Sequence, residues 1–436
     1  MNRFKVLNNA TTLVNEDFII DPWIYGNLYS SSWSPFPDTN YDKKKLSKIK
    51  FCYISHLHQD HWDLDTIKYF NKKTIFYIPN MKFNIVIEKN LNLHGFKNIV
   101  PLEYKKKYNI SKDYEISVVP PLNRYGHDTD FIEEKDDNGV AVDTGILIKT
   151  KNDGLNHLLL CDNSPYDYDV FKKYFNKTKI TSLFFPYNGF ADDYPLCFDE
   201  LKINQKKKLS LKRTLTREKY TTKFISKIKP NYLIPYSSEF SLNSKYRKEF
   251  DQIHSKIFKD KGLYSKRIEK ITKIKSFGIY KEDSLFVDKH GYNFITESNV
   301  VSKNKIRKGI KLKFPKSNKN NNFEKLLKLS LNNYLNRIDK YKLNLSEIYK
   351  WKLAINITDK KKINLINFKK NEIVQQNNND IKGKHLMLKT KDNIIKCILE
   401  KKLHMNNCQN GCFLSWKRSP NIFSKDLFHS LSFLHI

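Results

Sequence analysis

The chain has 436 residues, of which 39% are hydrophobic and 14% aromatic, so it holds enough apolar material for two packed domains. This composition excludes a disordered chain, and no apolar run approaches the roughly 20 residues that span a bilayer. Lys and Arg number 79 against 46 Asp and Glu, a net charge of +33. Because the basic residues are spread along a Lys-, Asn- and Ile-rich chain, we do not expect a nucleic-acid-binding protein.

The N-terminal segment contains neither a long apolar run nor a small-residue cleavage site, so the expected location is the cytoplasm. The scattered cysteines are typical of reduced thiols. His404, Cys408 and Cys412 have a spacing that one helix could turn toward zinc, but a fourth ligand and the usual close cysteine pair are missing. We therefore expect no metal at these three residues.

In chain order, short apolar runs alternate with amphipathic segments over the first half of the sequence. The predicted strands are Phe4–Val14, Asp17–Ile20, Ile49–Ser55, Thr74–Ile78, Ile116–Pro120, Thr144–Lys149, His157–Leu160, Ser182–Phe185 and Tyr232–Pro235. The predicted helices are Leu64–Phe70, Asn84–Asn92, Asp167–Phe175 and Thr216–Lys227. Strands alternating with helices predict an α/β layered domain over residues 1–300.

A basic, Asn-rich stretch over residues 301–322 is predicted to be a linker. The elements predicted beyond it are a helix Phe323–Tyr341, a hairpin of Trp351–Thr358 with Lys362–Phe368, a strand His385–Lys389, a helix near Asn393–Lys402, a strand Cys412–Lys417 and a helix Lys425–Leu434. These elements predict a small α+β domain over residues 323–436.

The segment that follows the predicted strand Ile49–Ser55 is rich in metal-binding side chains. His56 and His58 can bind one metal ion together, and Asp60 and His61 then face a second position beside it. Nitrogen and oxygen donors of this kind suit zinc or iron better than calcium. A chance cluster of surface histidines is the alternative, but only 12 of 436 residues are histidine. The segment therefore predicts a metal site for one or two ions.

Further ligands must come from elsewhere in the chain. Asp162 ends the apolar strand that contains Leu158 to Cys161, and a carboxylate at a strand end can bridge two metals, although an Asp before a turn is the alternative. His127 follows the strand that ends at Pro120 and is a second candidate ligand in a polar loop. We interpret both residues as candidate ligands.

The HxHxDH pattern, with an Asp at a later strand end, resembles the metallo-β-lactamase superfamily. Other segments resemble the branch that contains CMP-N-acetylneuraminate hydroxylase and UDP-N-acetylmuramate hydroxylase, and these are residues 21–26, 32–34, 54–61, 160–162, 187–190, 194–198 and 234–237. The resemblance covers about residues 1–300. It implies an αββα sandwich followed by the small α+β domain, and the segment 416–420 resembles the C-terminal module of that branch, which is similar to sterol-carrier-like folds.

The resemblance implies a metal-dependent enzyme that hydroxylates or hydrolyses a sugar or nucleotide-sugar. The implied metal ligands are His56, His58, Asp60, His61, His127 and Asp162. Asp60 and Tyr236 are the candidate catalytic residues, and the candidate substrate-binding residues are Tyr187, Asn188, Tyr194, Lys206 and Arg213. The two cations are expected to steady a phosphate.

Two departures from that branch bear on the reaction. The sequence contains no CxH or CxxH pair of a Rieske domain, so an oxygenase reaction would need a separate Rieske or ferredoxin electron donor. Many hydrolases of the superfamily have a last metal-binding His after the final strand, where this sequence has Tyr236 and Ser237. A metal-dependent phosphodiesterase or lactone hydrolase nevertheless remains the alternative.

Overall fold

The computed structural model describes residues 1–36, 41–81, 84–122, 143–187, 194–237, 239–253, 256–281, 283–296, 310–340, 343–358, 360–377 and 381–436. Its strands are, in chain order, β1 (Asn2–Asn8), β2 (Thr11–Val14), β3 (Phe18–Ile20), β4 (Trp33–Pro35), β5 (Phe51–Tyr53), β6 (Ile75–Pro79), β7 (Ile99–Leu102), β8 (Tyr108–Asn109), β9 (Tyr114–Val119), β10 (Gly145–Thr150), β11 (Leu155–Leu159), β12 (Ser182–Pro186), β13 (Tyr232–Tyr236), β14 (Phe240–Leu242), β15 (Lys275–Ser276), β16 (Ser284–Asp288), β17 (Gly291–Ile295), β18 (Lys352–Ile357), β19 (Ile363–Asn367), β20 (Glu372–Gln376), β21 (His385–Thr390) and β22 (Ser415–Ser419).

The helices that these strands alternate with are, in chain order, α1 (Lys43–Leu46), α2 (Leu64–Ile67), α3 (Ile85–Leu93), α4 (Tyr168–Phe175), α5 (Ile203–Ile228), α6 (Arg247–Ile253), α7 (Lys256–Lys259), α8 (Lys261–Thr272), α9 (Phe323–Lys340), α10 (Leu345–Ile348), α11 (Asp392–Leu399), α12 (Met405–Asn410) and α13 (Lys425–Ser430). Short 3₁₀ turns lie at Gln59–His61 and Leu431–Phe433. Among the described residues, we find no helix both long and apolar enough to cross a membrane.

Two twisted sheets pack face to face in the N-terminal domain. The first has the strand order β17-β16-β1-β2-β3-β5-β6-β7, and the second has the order β15-β13-β12-β11-β10-β9-β8. Side chains from the inner faces of both sheets, including Phe4, Phe18, Tyr53 and Phe184, form a continuous apolar core. Because each sheet can bury an apolar face only against another layer, this core holds the sandwich together.

Helices cover the two outer faces of the sandwich. Ile67 on α2 and Leu91 on α3 are buried in the cluster outside the first sheet. Phe171 on α4 and Phe224 on α5 pack outside the second sheet. The predicted αββα sandwich is therefore confirmed. Its β3-β5-β6-β7 and β11-β12-β13 stretches are parallel, which explains why their sequences are apolar along both faces.

The C-terminal domain is built on a sheet with the order β20-β19-β18-β21-β22. The hairpin prediction is confirmed, because β18 and β19 pair antiparallel from Lys352–Asn367 to Ile355–Asn364. Helix α9 buries Leu327, Leu331 and Tyr334, residues that lie one helical turn apart along a single face. This small α+β domain follows the sandwich, as predicted.

Some predicted bounds were wrong. The strand predicted over Phe4–Val14 is the antiparallel pair β1 and β2, because the chain reverses at Asn9, whose φ is 44°. Helix α5 begins at Ile203, well before the predicted Thr216, and its Lys-rich first half showed no clear apolar period. Of the predicted linker, residues 310–322 are described and include no helix or strand. Lys313 N donates to Ser30 O, so this segment follows the sandwich surface.

Candidate metal centre

The His-rich segment lies at one edge of the sandwich, where several strand ends meet. Asp21 follows β3, and His56 to His61 follow the neighbouring parallel strand β5. Asp162 follows β11, and Asp143 precedes β10, which runs antiparallel to β11. Parallel strands end at the same edge of a sheet, and an antiparallel neighbour begins there. Strand polarity within each sheet and the face-to-face packing of the two sheets therefore bring these side chains together.

The first donor group consists of His56, His58 and Asp143. The His56 Nε2 atom lies 2.8 Å from His58 Nδ1 and 3.4 Å from Asp143 Oδ1. One ligand atom from each of the three residues lies within 4.8 Å of the others. Such a convergence of imidazole nitrogens and a carboxylate oxygen fits a transition-metal ion.

The second donor group, which shares His56, contains His61 and Asp162. His61 Nε2 lies 3.1 Å from Asp162 Oδ2 and 3.3 Å from Asp60 Oδ2. The ring centroids of His56 and His61 are 4.0 Å apart, so the two groups are adjacent. The predicted residues His56, His58, Asp60, His61 and Asp162 are thus brought together, while His127 lies outside the described residues.

A buried carboxylate orients the histidines from behind. Asp21 Oδ2 lies 2.8 Å from His61 Nδ1 and accepts a hydrogen bond from Ser55 Oγ at the same distance. Ser55 Oγ is also 2.9 Å from His56 Nδ1. With Nδ1 held by Asp21, His61 presents Nε2 to the donor group, which is the usual arrangement behind a metal-binding histidine.

The two carboxylates beside His61 are held in the same way. Asp60 is buried and accepts hydrogen bonds from Asn9 Nδ2 and Tyr29 OH, both at 2.9 Å. Ser237 Oγ donates to Asp162 Oδ1. Each carboxylate therefore keeps a fixed orientation while part of it faces the histidines.

Electrostatics at this edge favour a bound cation. Burial favours the neutral form of Asp60, but His61 and then His58 outweigh it and lower the pKa of Asp60 to about 2. Burial likewise opposes the charged form of His61, yet Asp162, Asp60 and Asp21 raise the pKa of His61 well above its usual value. Three carboxylates, those of Asp21, Asp60 and Asp162, thus surround one histidine, His61. A metal ion would balance their excess negative charge. The donor set fits iron or zinc.

Asp143 was not among the residues predicted from the sequence. The available signal was an Asp immediately before the apolar strand Thr144–Lys149, but only the tertiary structure places its Oδ1 atom 3.4 Å from His56 Nε2. A Cβ atom on Gly145 would lie 2.7 Å from Leu159 O and 3.1 Å from Leu160 Cα. The missing side chain at Gly145 therefore permits the close approach of β10 and β11 on which this group depends.

Tyr236, a predicted catalytic residue, is buried among core side chains between the sheets. Its hydroxyl accepts a hydrogen bond of 2.6 Å from the backbone N–H of Cys161, next to Asp162. Burial, followed by the nearby Cys161 and Asp21, raises its pKa well above the usual value. This geometry makes Tyr236 a support for the ligand-bearing turn.

Four of the predicted substrate-binding residues have described contacts within the protein. Tyr187 OH donates to Glu239 Oε1 at 3.2 Å. Lys206 is buried, with its Nζ bonded to Leu196 O and Glu249 Oε2, and Arg213 donates to Tyr194 O. Asn188 lies outside the described residues. The buried cations hold the 194–198 turn against α5.

In the part of the chain that the structure describes, the two overlapping donor groups are the only clusters of three or more potential ligands. His404, Cys408 and Cys412 form no such cluster. All six cysteines are buried, and none of them forms a disulfide.

No family model matches the chain. The chain is 22% identical over 222 residues to a Mycolicibacterium smegmatis protein named as a Rieske 2Fe-2S iron-sulfur protein, a match that covers 50% of this chain and 39% of that protein. The chain thus spans about two fifths of that relative's length. A Mycobacterium tuberculosis protein of similar name is 36% identical over 64 residues, which are 14% of this chain and 12% of that protein.

Solved structures with a similar fold include CmlA, a diiron β-hydroxylase from Streptomyces venezuelae. It has a TM-score of 0.39 and 14% identity, and the alignment covers 64% of this chain and 53% of CmlA. A possible metal-dependent hydrolase from Veillonella parvula has a TM-score of 0.42 and 11% identity, with 66% of this chain and all of that one covered.

Proposed function

We propose that the protein is a metal-dependent enzyme that hydroxylates its substrate with iron bound at the sandwich edge. The observation that carries the proposal is the first donor group, in which two histidines and one carboxylate converge. Two histidines and a carboxylate with open positions are the donor set of non-haem Fe(II) oxygenases. The second donor group has the Asp60 carboxylate beside it as a further oxygen donor, and it suits a second ion beside the first.

An iron ion at this edge would supply the activation of dioxygen. The protein's own residues hold the ligands in place: Asp21 orients His61, while Tyr29 and Asn9 fix Asp60. Because Asp60 is held by Tyr29 and Asn9 with its Oδ2 atom 3.3 Å from His61 Nε2, we assign it to metal ligation instead of proton abstraction.

Hydroxylation with dioxygen consumes two electrons and two protons and forms one water molecule for each hydroxyl group. The 436 residues include no CxH or CxxH pair that could hold a Rieske cluster. We therefore propose a separate Rieske or ferredoxin protein as electron donor, and the likeness to a relative named for such a cluster supports this reading. A sugar or nucleotide-sugar substrate is supported by the motif resemblance alone.

The test is a metal count on purified wild type, His58→Ala and Asp143→Ala after anaerobic reconstitution with Fe(II), Zn(II) or Mn(II). We expect iron to bind wild type and to be lost in both variants. His94→Ala is the matched control, because His94 is exposed and lies at the end of α3. Failure of all metals to bind wild type would contradict the centre itself.

The reaction is tested separately with a reductant, a ferredoxin and a panel of nucleotide-sugars under ¹⁸O₂. Incorporation of ¹⁸O into product supports hydroxylation. Incorporation from water alone, or turnover of phosphodiesters or lactones with zinc and without reductant, would support the hydrolase alternative, in which a metal-bound water is the nucleophile.

A further inference from the structure

A cavity of about 250 Å³ lies in the C-terminal domain, between the end of α11, the start of α12 and the last residues of the chain. Ile398, Leu403 and Met405 form an apolar wall. Lys401, His404 and His435 provide polar groups at the same cavity, and none of its lining residues is acidic. A site with an apolar wall and several basic side chains favours a ligand with an anionic group.

The hydrogen bond at His404 determines which of its ring nitrogens can donate. His404 Nδ1 accepts from the backbone N–H of Asn406 at 3.3 Å. His435 Nδ1 lies 2.7 Å from Arg337 Nη1, which can only donate. In neutral His404 the hydrogen is therefore on Nε2, which can donate, whereas His435 Nδ1 faces both the Arg337 donor and an acceptor, Ile436 O, at 3.1 Å. With the Lys401 ammonium, the cavity offers hydrogen-bond donors suited to a phosphate or carboxylate.

The charges around the cavity are predominantly positive. Burial lowers the pKa of His435. A hydrogen bond to Ile436 O raises this pKa, but the neighbouring Arg337, Lys401 and His404 lower it further. Lys402, next to Lys401, instead pairs with Glu400 Oε2 at 2.8 Å and does not line the cavity. An anion in the cavity would meet the Lys401 charge with no acidic lining residue to oppose it.

Helix α12 lies between the cavity and the loop that carries Tyr29. His404, at the start of this helix, has a pKa lowered by burial and then by His58 of the first donor group. At the other end of α12, Asn410 O accepts from Trp33 Nε1 at 2.8 Å and Gly411 O accepts from Ser32 Oγ at 2.7 Å. The same loop carries Tyr29, which binds Asp60.

We infer that this cavity binds the phosphate or carboxylate group of the substrate, with the adjoining carbon chain against Ile398, Leu403 and Met405. The inference rests on the proposed function, because the ligand that it places in the cavity is the substrate of the metal centre. The sequence predicted that Lys206 and Arg213 bind the anion, but both are buried on α5. We therefore assign anion binding to the C-terminal domain.

The test uses butyl phosphate and calorimetry on protein stripped of metal with a chelator, so that direct coordination by a metal cannot contribute. We expect Lys401→Gln and His404→Gln each to weaken binding by about tenfold, the effect of losing one charged hydrogen bond. Lys402→Gln is the matched control and should bind like wild type. Butyl phosphate should also bind more tightly than inorganic phosphate, because only the ester reaches the apolar wall.

Equal binding by wild type, Lys401→Gln and His404→Gln would overturn the inference, as would the absence of binding to wild type. The His58→Ala variant separates this question from the metal centre. Butyl phosphate binding that survives in His58→Ala, in a protein that holds no metal, would support the cavity while contradicting the proposed reaction. If the protein bound metal while Lys401→Gln bound butyl phosphate as tightly as wild type, only the inference about the cavity would be contradicted.

Discussion

Tyr29 donates a hydrogen bond to Asp60, and both side chains are buried. In Tyr29→Phe, Asp60 Oδ1 loses this donor but remains buried beside His61. We expect the free energy of unfolding to fall by roughly 1–3 kcal/mol because a buried acceptor loses its partner. We expect metal affinity to fall by about 10–100-fold, the usual effect of removing a partner of a ligand. Chelator competition and urea denaturation measure the two quantities.

Tyr246→Phe is the matched control for this prediction. Tyr246 OH donates to Asp199, so the variant loses the same kind of bond away from the donor groups. It should lose stability while keeping wild-type metal affinity. If Tyr29→Phe also kept wild-type affinity, Asp60 would not depend on Tyr29 for its position.

His157 is a buried histidine on β11, with its ring centroid 4.7 Å from that of Phe4. Neither of its ring nitrogens has a hydrogen-bond partner among the described residues. Burial lowers its pKa to about 4, against the opposing influence of Asp153. In the unfolded chain the same histidine has a pKa of about 6.5. Between pH 6.5 and pH 4 the unfolded chain therefore binds a proton at this residue and the folded protein does not.

This difference predicts a loss of stability on acidification from pH 6.5 toward pH 4, reaching roughly 2 kcal/mol from this residue near pH 5. His157→Leu removes the titrating ring, so its unfolding free energy should depend less steeply on pH over that window. Urea denaturation at pH 5 and pH 7.5 is the measurement. Parallel pH profiles for variant and wild type would mean that His157 is not the source.

At the scale of elements, the antiparallel pairing of β10 with β11 puts the strand end that Asp143 precedes and the strand end that Asp162 follows at the same edge of the sheet. In Gly145→Ala, the new Cβ would meet Leu159 O at 2.7 Å and force the start of β10 away from β11. We expect a loss of about 1–3 kcal/mol in the free energy of unfolding, as for other overpacked sites. Metal content should fall as well, because the ligand-bearing ends of the two strands separate. Elemental analysis after reconstitution measures this.

Ile148→Val, on the same strand, separates instability from distortion of the site. Ile148 is buried in the core between the sheets, where the lost methyl costs about 0.5–1.5 kcal/mol. This variant should keep its metal. A Gly145→Ala protein with full metal content would show that the strand ends tolerate the added methyl.

At the scale of the whole molecule, β22 forms part of the interface between the two domains. Trp416 N donates to Cys197 O at 2.8 Å, and the Arg418 guanidinium lies 4.4 Å from the ring centroid of Tyr194 and 4.9 Å from that of Phe198. Buried residues of both domains also belong to one continuous apolar cluster. We therefore expect the wild-type protein to unfold in a single transition when followed by circular dichroism and by fluorescence.

Arg418→Ala tests this interface. Loss of a buried cation–π contact should lower the free energy of unfolding by roughly 2 kcal/mol or more, and the transitions of the two probes should separate as the domains unfold independently. Lys417→Ala is the matched control, because Lys417 is exposed on the same strand. Two transitions in the wild-type protein would contradict a shared folding unit.

The local features were predictable from the sequence. Apolar runs and their periods predicted β5, β11, β18 and α9, and the cluster from His56 to His61 predicted a metal site at the end of β5. Such inferences succeed because strand and helix periodicity, and the density of ligand side chains in one segment, are properties of neighbouring residues. The limits of β22 and the first half of α5 were missed where tertiary packing outweighed local propensity.

The sequence by itself determined the layered α/β class, the separate C-terminal domain and the metal-binding character of the segment from His56 to His61. Only the tertiary structure decided that Asp143 joins that segment and that Lys206 and Arg213 are buried. It also decided that Lys401, His404 and His435 line one cavity. These relations depend on which strand ends and helices meet across long separations in the chain, and local sequence patterns carry no information about such distances.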